Sequence, residues 1–353
     1  MSGVHRGGHA HHPPLSEALL AAEAEDEATM PLPATNGAGM ATGRHEEEAI
    51  LAVEGVSFAY PDGTAALRSL SLSIPRHRRV AILGANGSGK STLFLHLNGI
   101  LRPAQGRVLL AGQPVRYDRQ GLNELRRRVG LVFQDPDTQL FAASVRQDIS
   151  FGPLNLGLPE AVVREKVAQA IADTQIEELA DRPTHLLSYG QKKRVAIAGV
   201  LAMEPDVVVA DEPTAGLDPE MTARLLELLN RLHEGGRTIV ISTHDVELAL
   251  AWADHAVVLR RGQLLGAGAP AQVFSDATLL RQARLVSPIV LQTFSQLQAQ
   301  GLLDLATPPP RTAAELVAVI AGHPPDGRSP PPARRRCVAG AWPGRASPAP
   351  AAG

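Results

Sequence analysis

Residues Gly84-Ala85-Asn86-Gly87-Ser88-Gly89-Lys90-Ser91 fit the pattern G-x-x-x-x-G-K-[ST], between an apolar run over 80–83 and a second apolar run over 92–97. No other stretch restricts the fold so strongly. A glycine-rich turn between a buried strand and a helix wraps successive backbone N–H groups round a phosphate chain, and the helix start adds roughly half a positive charge. Gly84, Gly87 and Gly89 supply the backbone freedom, with Asn86 and Ser88 between them. Lys90 is expected to reach the β- and γ-phosphates, Ser91 to offer a hydroxyl to Mg²⁺, and Thr92 to contact the α-phosphate. The pattern alone asks for a bound nucleotide.

Around this turn, β-rich runs alternate with amphipathic stretches, as an α/β fold with parallel strands requires. Strands are predicted over 51–60, 80–83, 129–133, 207–210, 238–242 and 256–259, four of them almost wholly apolar and so suited to burial on both faces. The segment over about 144–204 differs. Apart from a loop over 152–159 it reads as helices, including 160–173 and 191–203, with no strand between them. A helical subdomain inserted into a sheet domain over 50–275 follows, then a helical extension over 276–305 containing one helical segment, 277–300. Residues 1–49 and the Pro-rich 306–353 have compositions that build no core, although 313–321 is an apolar patch of helical character.

The run Val207-Val208-Val209-Ala210 ends in Asp211-Glu212, where a buried strand meets solvent. Adjacent strand residues face opposite ways, but a turn at the strand end lets Asp211 aim at Mg²⁺ while Glu212 faces the attacking water as general base.

About twenty residues earlier, Leu187-Ser188-Tyr189-Gly190-Gln191 opens a helix and resembles the LSGGQ signature of ABC ATPases. Ser188 can cap that helix and, with the Gly190 N–H, present donors to a γ-phosphate. The resemblance implies a P-loop sheet domain of ABC ATPase type, and a dimer in which Ser188, Gly190 and Gln191 complete the ATP site built on the partner's Lys90. Tyr189 departs from the signature, which requires its side chain to point away from the phosphate. Further parts of the family pattern lie in order over 51–274. Tyr60 resembles the aromatic that stacks on adenine, and Gln134 the Q-loop glutamine that senses Mg²⁺ or water beside the membrane partner. Asp218 resembles the D-loop aspartate that couples the two sites, and His244 the switch histidine that contacts the γ-phosphate. Glu212, His244 and Gln134 are thus the implied catalytic set, with Ser91, Gln134 and Asp211 around Mg²⁺.

The runs over 134–141, 151–157 and 191–199 resemble the energy-coupling-factor importers, and those over 117–122 and 284–288 their cobalt and nickel branch. The resemblance implies a cytoplasmic, peripheral ATPase serving a transmembrane coupling subunit and separate substrate-binding membrane subunits. Pairing as a homodimer or with a sister ATPase is compatible with one full motif set, and a vitamin importer is an alternative. A soluble ABC ATPase acting on ribosomes or DNA is a further alternative, but such proteins generally carry two fused units or a long coiled coil, whereas this sequence has one motif set and the stretch between Gln134 and Ser188 leaves no room for a long coiled coil. A non-catalytic module is opposed by intact Lys90, Asp211, Glu212 and His244.

Composition agrees. With 34 basic and 36 acidic side chains and a net charge of −2, no global electrostatic footprint for nucleic acid exists. The single cysteine, Cys337, excludes an intrachain disulfide. No stretch reads as a membrane span, and the N-terminus lacks the basic start and apolar core of an export signal. His5, His9, His11 and His12 suit nickel or cobalt chemically but read as a tail composition, and Arg334–Arg336 as a solvated charge run.

Overall fold

The computed structural model describes residues 48–321. The N-terminal histidines, Cys337 and the arginine run therefore lie outside the described residues. Ten strands are described: β1 (Ala49–Ala59), β2 (Ala65–Pro75), β3 (Arg79–Leu83), β4 (Gln105–Leu110), β5 (Gln113–Pro114), β6 (Val129–Val132), β7 (Val207–Ala210), β8 (Thr238–Thr243), β9 (His255–Arg260) and β10 (Gln263–Gly268). The helices are α1 (Lys90–Leu97), α2 (Arg119–Arg128), α3 (Val145–Asn155), α4 (Glu160–Thr174), α5 (Tyr189–Leu201), α6 (Pro219–Glu234), α7 (Val246–Trp252), α8 (Pro270–Ser275), α9 (Ala277–Ala283), α10 (Ile289–Ala299) and α11 (Ala313–Ile320).

Strands β10-β9-β3-β8-β7-β6 form one sheet, parallel except for β10, which returns antiparallel to β9. Its strands are apolar on both faces because each face has its own core. In β3, Val80 and Ile82 join a cluster with Leu93 and Phe94 of α1, whereas Ala81 and Leu83 join one with Ile197 of α5 and Leu229 of α6. In β7, Val207 and Val209 face the first core, Val208 and Ala210 the second. Strands β2-β1-β4-β5 form a separate antiparallel sheet that closes over the first core.

This antiparallel layer adds to the parallel strands read from the sequence. β2 carries a period of two: Leu70, Leu72 and Ile74 are buried while Ser69, Ser71 and Ser73 are exposed, as on a strand with one wet face. No strand interrupts the helices between β6 and β7, and α5 packs on α3 and α4. The loop over 152–159 shrinks, because α3 runs through Pro153 to Asn155, with Leu156 N–H donating to the Gly152 carbonyl. The helical segment over 277–300 is two helices, α9 and α10. Arg284 adopts a left-handed φ of 55° and Pro288 precedes α10, so the first helix ends and the second restarts.

Ordered structure also passes the boundary at 305. Phe294 of α10 packs with Leu316 and Val319 of α11, and Arg311 donates to the carbonyls of Leu250, Ala251 and Ala253 at the end of α7. Those carbonyls have no partner within the helix, so a cationic donor there anchors the extension. Among the described residues no helix is long and apolar enough to cross a membrane.

Candidate functional site

The parallel registers align the carboxyl ends of the central strands. Leu83 pairs with Thr243 and Val258, while Ala210 pairs with Ile241 and Val132. The segments that leave β3, β7, β8 and β6 therefore open on one edge, where open α/β sheets bind ligands. A cleft of about 310 Å³ lies there, lined by Asn86–Thr92, Gln134, Asp211, Glu212 and His244, together with Ala215.

The cradle is set by backbone. Gly84 has φ 152°, and a side chain there would meet the Leu259 carbonyl at 2.4 Å and Ser88 Oγ at 2.5 Å. Gly89, at φ 103°, is pressed by the Ala66 carbonyl, which a Cβ would approach to 2.8 Å. Beyond Gly89 the chain enters α1, whose first-turn N–H groups have no helical partner. Buried Ser88 Oγ makes no hydrogen bond. Lys90 is only 7% exposed, and its ammonium donates to the Gly84 carbonyl at 2.7 Å and the Ala85 carbonyl at 3.3 Å and stands 4.0 Å from Glu212. A pinched turn, an orphaned hydroxyl, free N–H groups and a buried cation fit a polyphosphate.

Ser242 at the end of β8 separates the two acids that follow β7. Its hydroxyl donates to Asp211 Oδ1 and accepts the Glu212 N–H at 2.7 Å. Glu212 consequently turns to φ 43°, left-handed and unusual for a residue with a side chain, so the neighbouring carboxylates diverge. Glu212 Oε2 lies 3.2 Å from His244 Nδ1. Asp211 remains beside the cradle with exposed Ser91. Among the described residues no group of three or more His, Cys, Asp and Glu could hold a metal by itself. One carboxylate and one hydroxyl suit Mg²⁺, which takes its remaining oxygens from substrate phosphates and water.

Of the residues read from the sequence, Asn86, Gly87, Ser88, Gly89, Lys90, Ser91, Thr92, Gln134, Asp211, Glu212 and His244 meet at this cleft, with Gly84 shaping its floor. Tyr60 sits at its side, its hydroxyl 3.1 Å from Thr92 Oγ1 and its ring edge-to-face with Phe58. Ser188, Gly190, Gln191 and Asp218 do not line the cleft. Ser188 and Gln191 cap α5 reciprocally: the Ser188 N–H donates to Gln191 Oε1 at 2.9 Å and the Gln191 N–H to Ser188 Oγ at 3.4 Å. Asp218 caps α6, accepting the Met221 N–H at 2.8 Å. Tyr189 points away from the helix start and donates to the Gln134 carbonyl at 3.2 Å.

Two residues gained no role from sequence alone. Ser242 is important only through strand register. Lys193 carried a signal: it lies in one helical stripe with Ala196, Ile197 and Val200, all buried. It is itself 98% buried and donates to the carbonyls of Glu212 at 3.0 Å, Pro213 at 2.8 Å and Ala215 at 3.1 Å. Burial pulls its pKa down to about 8, against the opposing pull of Glu212, Asp211 and Asp135.

Residues 67–215 match the ABC transporter family. The chain is 52% identical over 273 residues to the cobalt import ATP-binding protein CbiO of Rhodobacter capsulatus, spanning 77% of this chain and 98% of that protein. It is 51% identical over 241 residues to the energy-coupling factor transporter ATP-binding protein EcfA of Methanocaldococcus jannaschii, spanning 68% and 86%. The solved structure of cbiO1 from Clostridium perfringens, part of the ABC transporter complex cbiONQ, is similar with a TM-score of 0.61 and 47% identity, over 70% of this chain and 100% of that one.

Proposed function

The chain belongs to the ATP-binding subunits of ABC transporters of the energy-coupling-factor type, ATP hydrolases that power import, and we propose that its cargo is cobalt or nickel ion and that two copies close around two ATP molecules. The observation that carries the reading is the division of the motifs: cradle, acids and His244 meet in one cleft, while the donors at Ser188 and Gly190 do not line it. In a pair related by two-fold symmetry, those donors face the γ-phosphate held by the other copy.

Lys90 and the N–H groups of the loop hold the β- and γ-phosphates, and Tyr60 meets the adenine. Asp211 and Ser91, with Gln134, hold Mg²⁺, which when bound neutralises phosphate charge. Glu212 accepts a proton from the attacking water, and His244, 3.2 Å from that carboxylate, aligns both. A P–O bond to the water oxygen forms as the bond to the ADP oxygen breaks. Closure brings Asp218 of each copy to the shared boundary.

Between sheet and helical subdomain a groove of about 520 Å³ presents Phe141 and Phe151, 65% and 46% exposed, with rings 4.6 Å apart. Exposed aromatics packed edge-to-face, on the stretch of chain that follows Gln134, suit an apolar helix end of the membrane coupling subunit. That docking places the chain peripherally on the cytoplasmic face, with the ion handled by other membrane subunits.

The test is uptake by the full complex reconstituted in vesicles. ATP-dependent accumulation of cobalt or nickel, abolished by Lys90→Ala together with ATP binding, is the expected result. Accumulation of neither ion, with uptake of a vitamin instead, would overturn the cargo assignment.

A further inference from the structure

The signature position that departs from glycine, Tyr189, touches two other segments of the site, Gln134 and the turn at Gly216. Tyr189 is the first residue of α5 and Lys193 lies one turn on, so both project from the same helix face. The Tyr189 hydroxyl donates to the Gln134 carbonyl at 3.2 Å. Its ring lies against Gly216, where a side chain would approach Cε1 to 3.1 Å. The Lys193 ammonium stands 5.3 Å from the ring centroid and is bonded to the carbonyls of Glu212, Pro213 and Ala215. Glycine at 189 would make none of the ring or hydroxyl contacts.

These contacts join segments with separate duties. Gln134 and Glu212 belong to the cleft on this chain's own Lys90, whereas Ser188 and Gly190, flanking Tyr189, serve the partner's nucleotide under the paired reading on which this inference rests. We propose that Tyr189, seated on Lys193, is a positioning residue that couples the two nucleotide sites through a single chain. It holds the Ser188–Gly190 donors at a fixed offset from Gln134 and the Glu212–Gly216 turn. Movement of that turn or of Gln134 on filling one site then carries the donors toward the other site, instead of each loop adjusting alone. The link is short, and its lysine end is buried and held by three carbonyls, so it transmits displacement. Cooperative hydrolysis is its consequence.

A tyrosine that only fills space would be insensitive to loss of its hydroxyl. The experiment is hydrolysis against Mg²⁺–ATP concentration by the full chain in its reconstituted complex, with ATP binding measured directly on the same samples. Wild type is expected to show a Hill coefficient of about 2, the limit for two sites, falling toward about 1 in Tyr189→Phe. Maximal turnover should fall about three- to tenfold, as expected for one lost hydrogen bond, with half-saturating ATP and direct binding unchanged. Lys193→Met should act alike, while Lys193→Arg, which keeps a cationic donor, should retain cooperativity. Wild-type cooperativity and turnover persisting in both Tyr189→Phe and Lys193→Met would overturn the link alone. So would a drop in turnover with an unchanged Hill coefficient, which reports a local structural role. Loss of direct ATP binding in Tyr189→Phe would also overturn it, by assigning the residue to the cradle. A non-cooperative wild type would remove the paired reading and the link together.

Discussion

Replacing Glu212 with glutamine isolates proton acceptance from shape. The backbone at 212 is held from both sides, by Ser242 Oγ accepting its N–H at 2.7 Å and by Lys193 donating to its carbonyl at 3.0 Å. Neither contact involves the carboxylate, so the left-handed turn survives the substitution. The side chain keeps its volume in a position only 7% exposed. What is lost is the base. General-base assistance contributes about 10²–10⁴-fold, or about 2.7–5.4 kcal/mol of barrier, so phosphate release should slow by that factor. Binding should not weaken. The carboxylate lies 4.0 Å from Lys90, a gross attraction of about 4 kcal/mol at an effective dielectric of about 20, but it also repels the phosphates the same lysine must hold. Turnover is read from phosphate release and affinity from equilibrium ATP binding. Hydrolysis at the wild-type rate, or binding lost along with turnover, would refute the assignment.

Arg311→Ala removes three charge-assisted contacts to the carbonyls ending α7 and should cost about 2 kcal/mol, lowering the melting temperature by about 4–8 °C. An unchanged melting temperature would detach the extension from the fold. His96 is fully buried, and burial lowers its pKa from 6.5 despite the opposing bond to the Thr92 carbonyl. The unfolded chain therefore takes the proton more readily, so this contribution to stability is present above pH 6.5 and lost as pH falls below it. Chemical unfolding of wild type and His96→Leu should diverge in slope across that range, and parallel curves would contradict it.

Much of this site was legible because its chemistry is local in sequence. The Gly84–Ser91 turn, the acids ending β7 and the Ser188–Gln191 capping box each lie within a few consecutive residues. The central strands were legible through burial on both faces. What escaped depended on distant segments meeting. Ser242 acts through the pairing of β7 with β8, and Lys193 through carbonyls about twenty residues away. β2 is not among the strands that apolar runs predict, because its alternating leucines and serines follow a period of two instead of the continuous apolar runs of the parallel strands. The break at Arg284–Pro288 was visible as a proline, yet the left-handed arginine that ends α9 was not. Tyr189 was expected to turn from the phosphate, but its partners Gln134 and Gly216 could only come from the fold.

The paired arrangement is tested most directly by mass in solution. Glu212→Gln with Mg²⁺–ATP should shift from one chain of 37.3 kDa to two, and revert with ADP. Adding Ser188→Arg, which places a bulky cation where the partner's γ-phosphate must lie, should keep the mass at one chain while ATP still binds. A single-chain mass for Glu212→Gln at saturating Mg²⁺–ATP, or a pair indifferent to Ser188→Arg, would contradict two chains closing around two nucleotides.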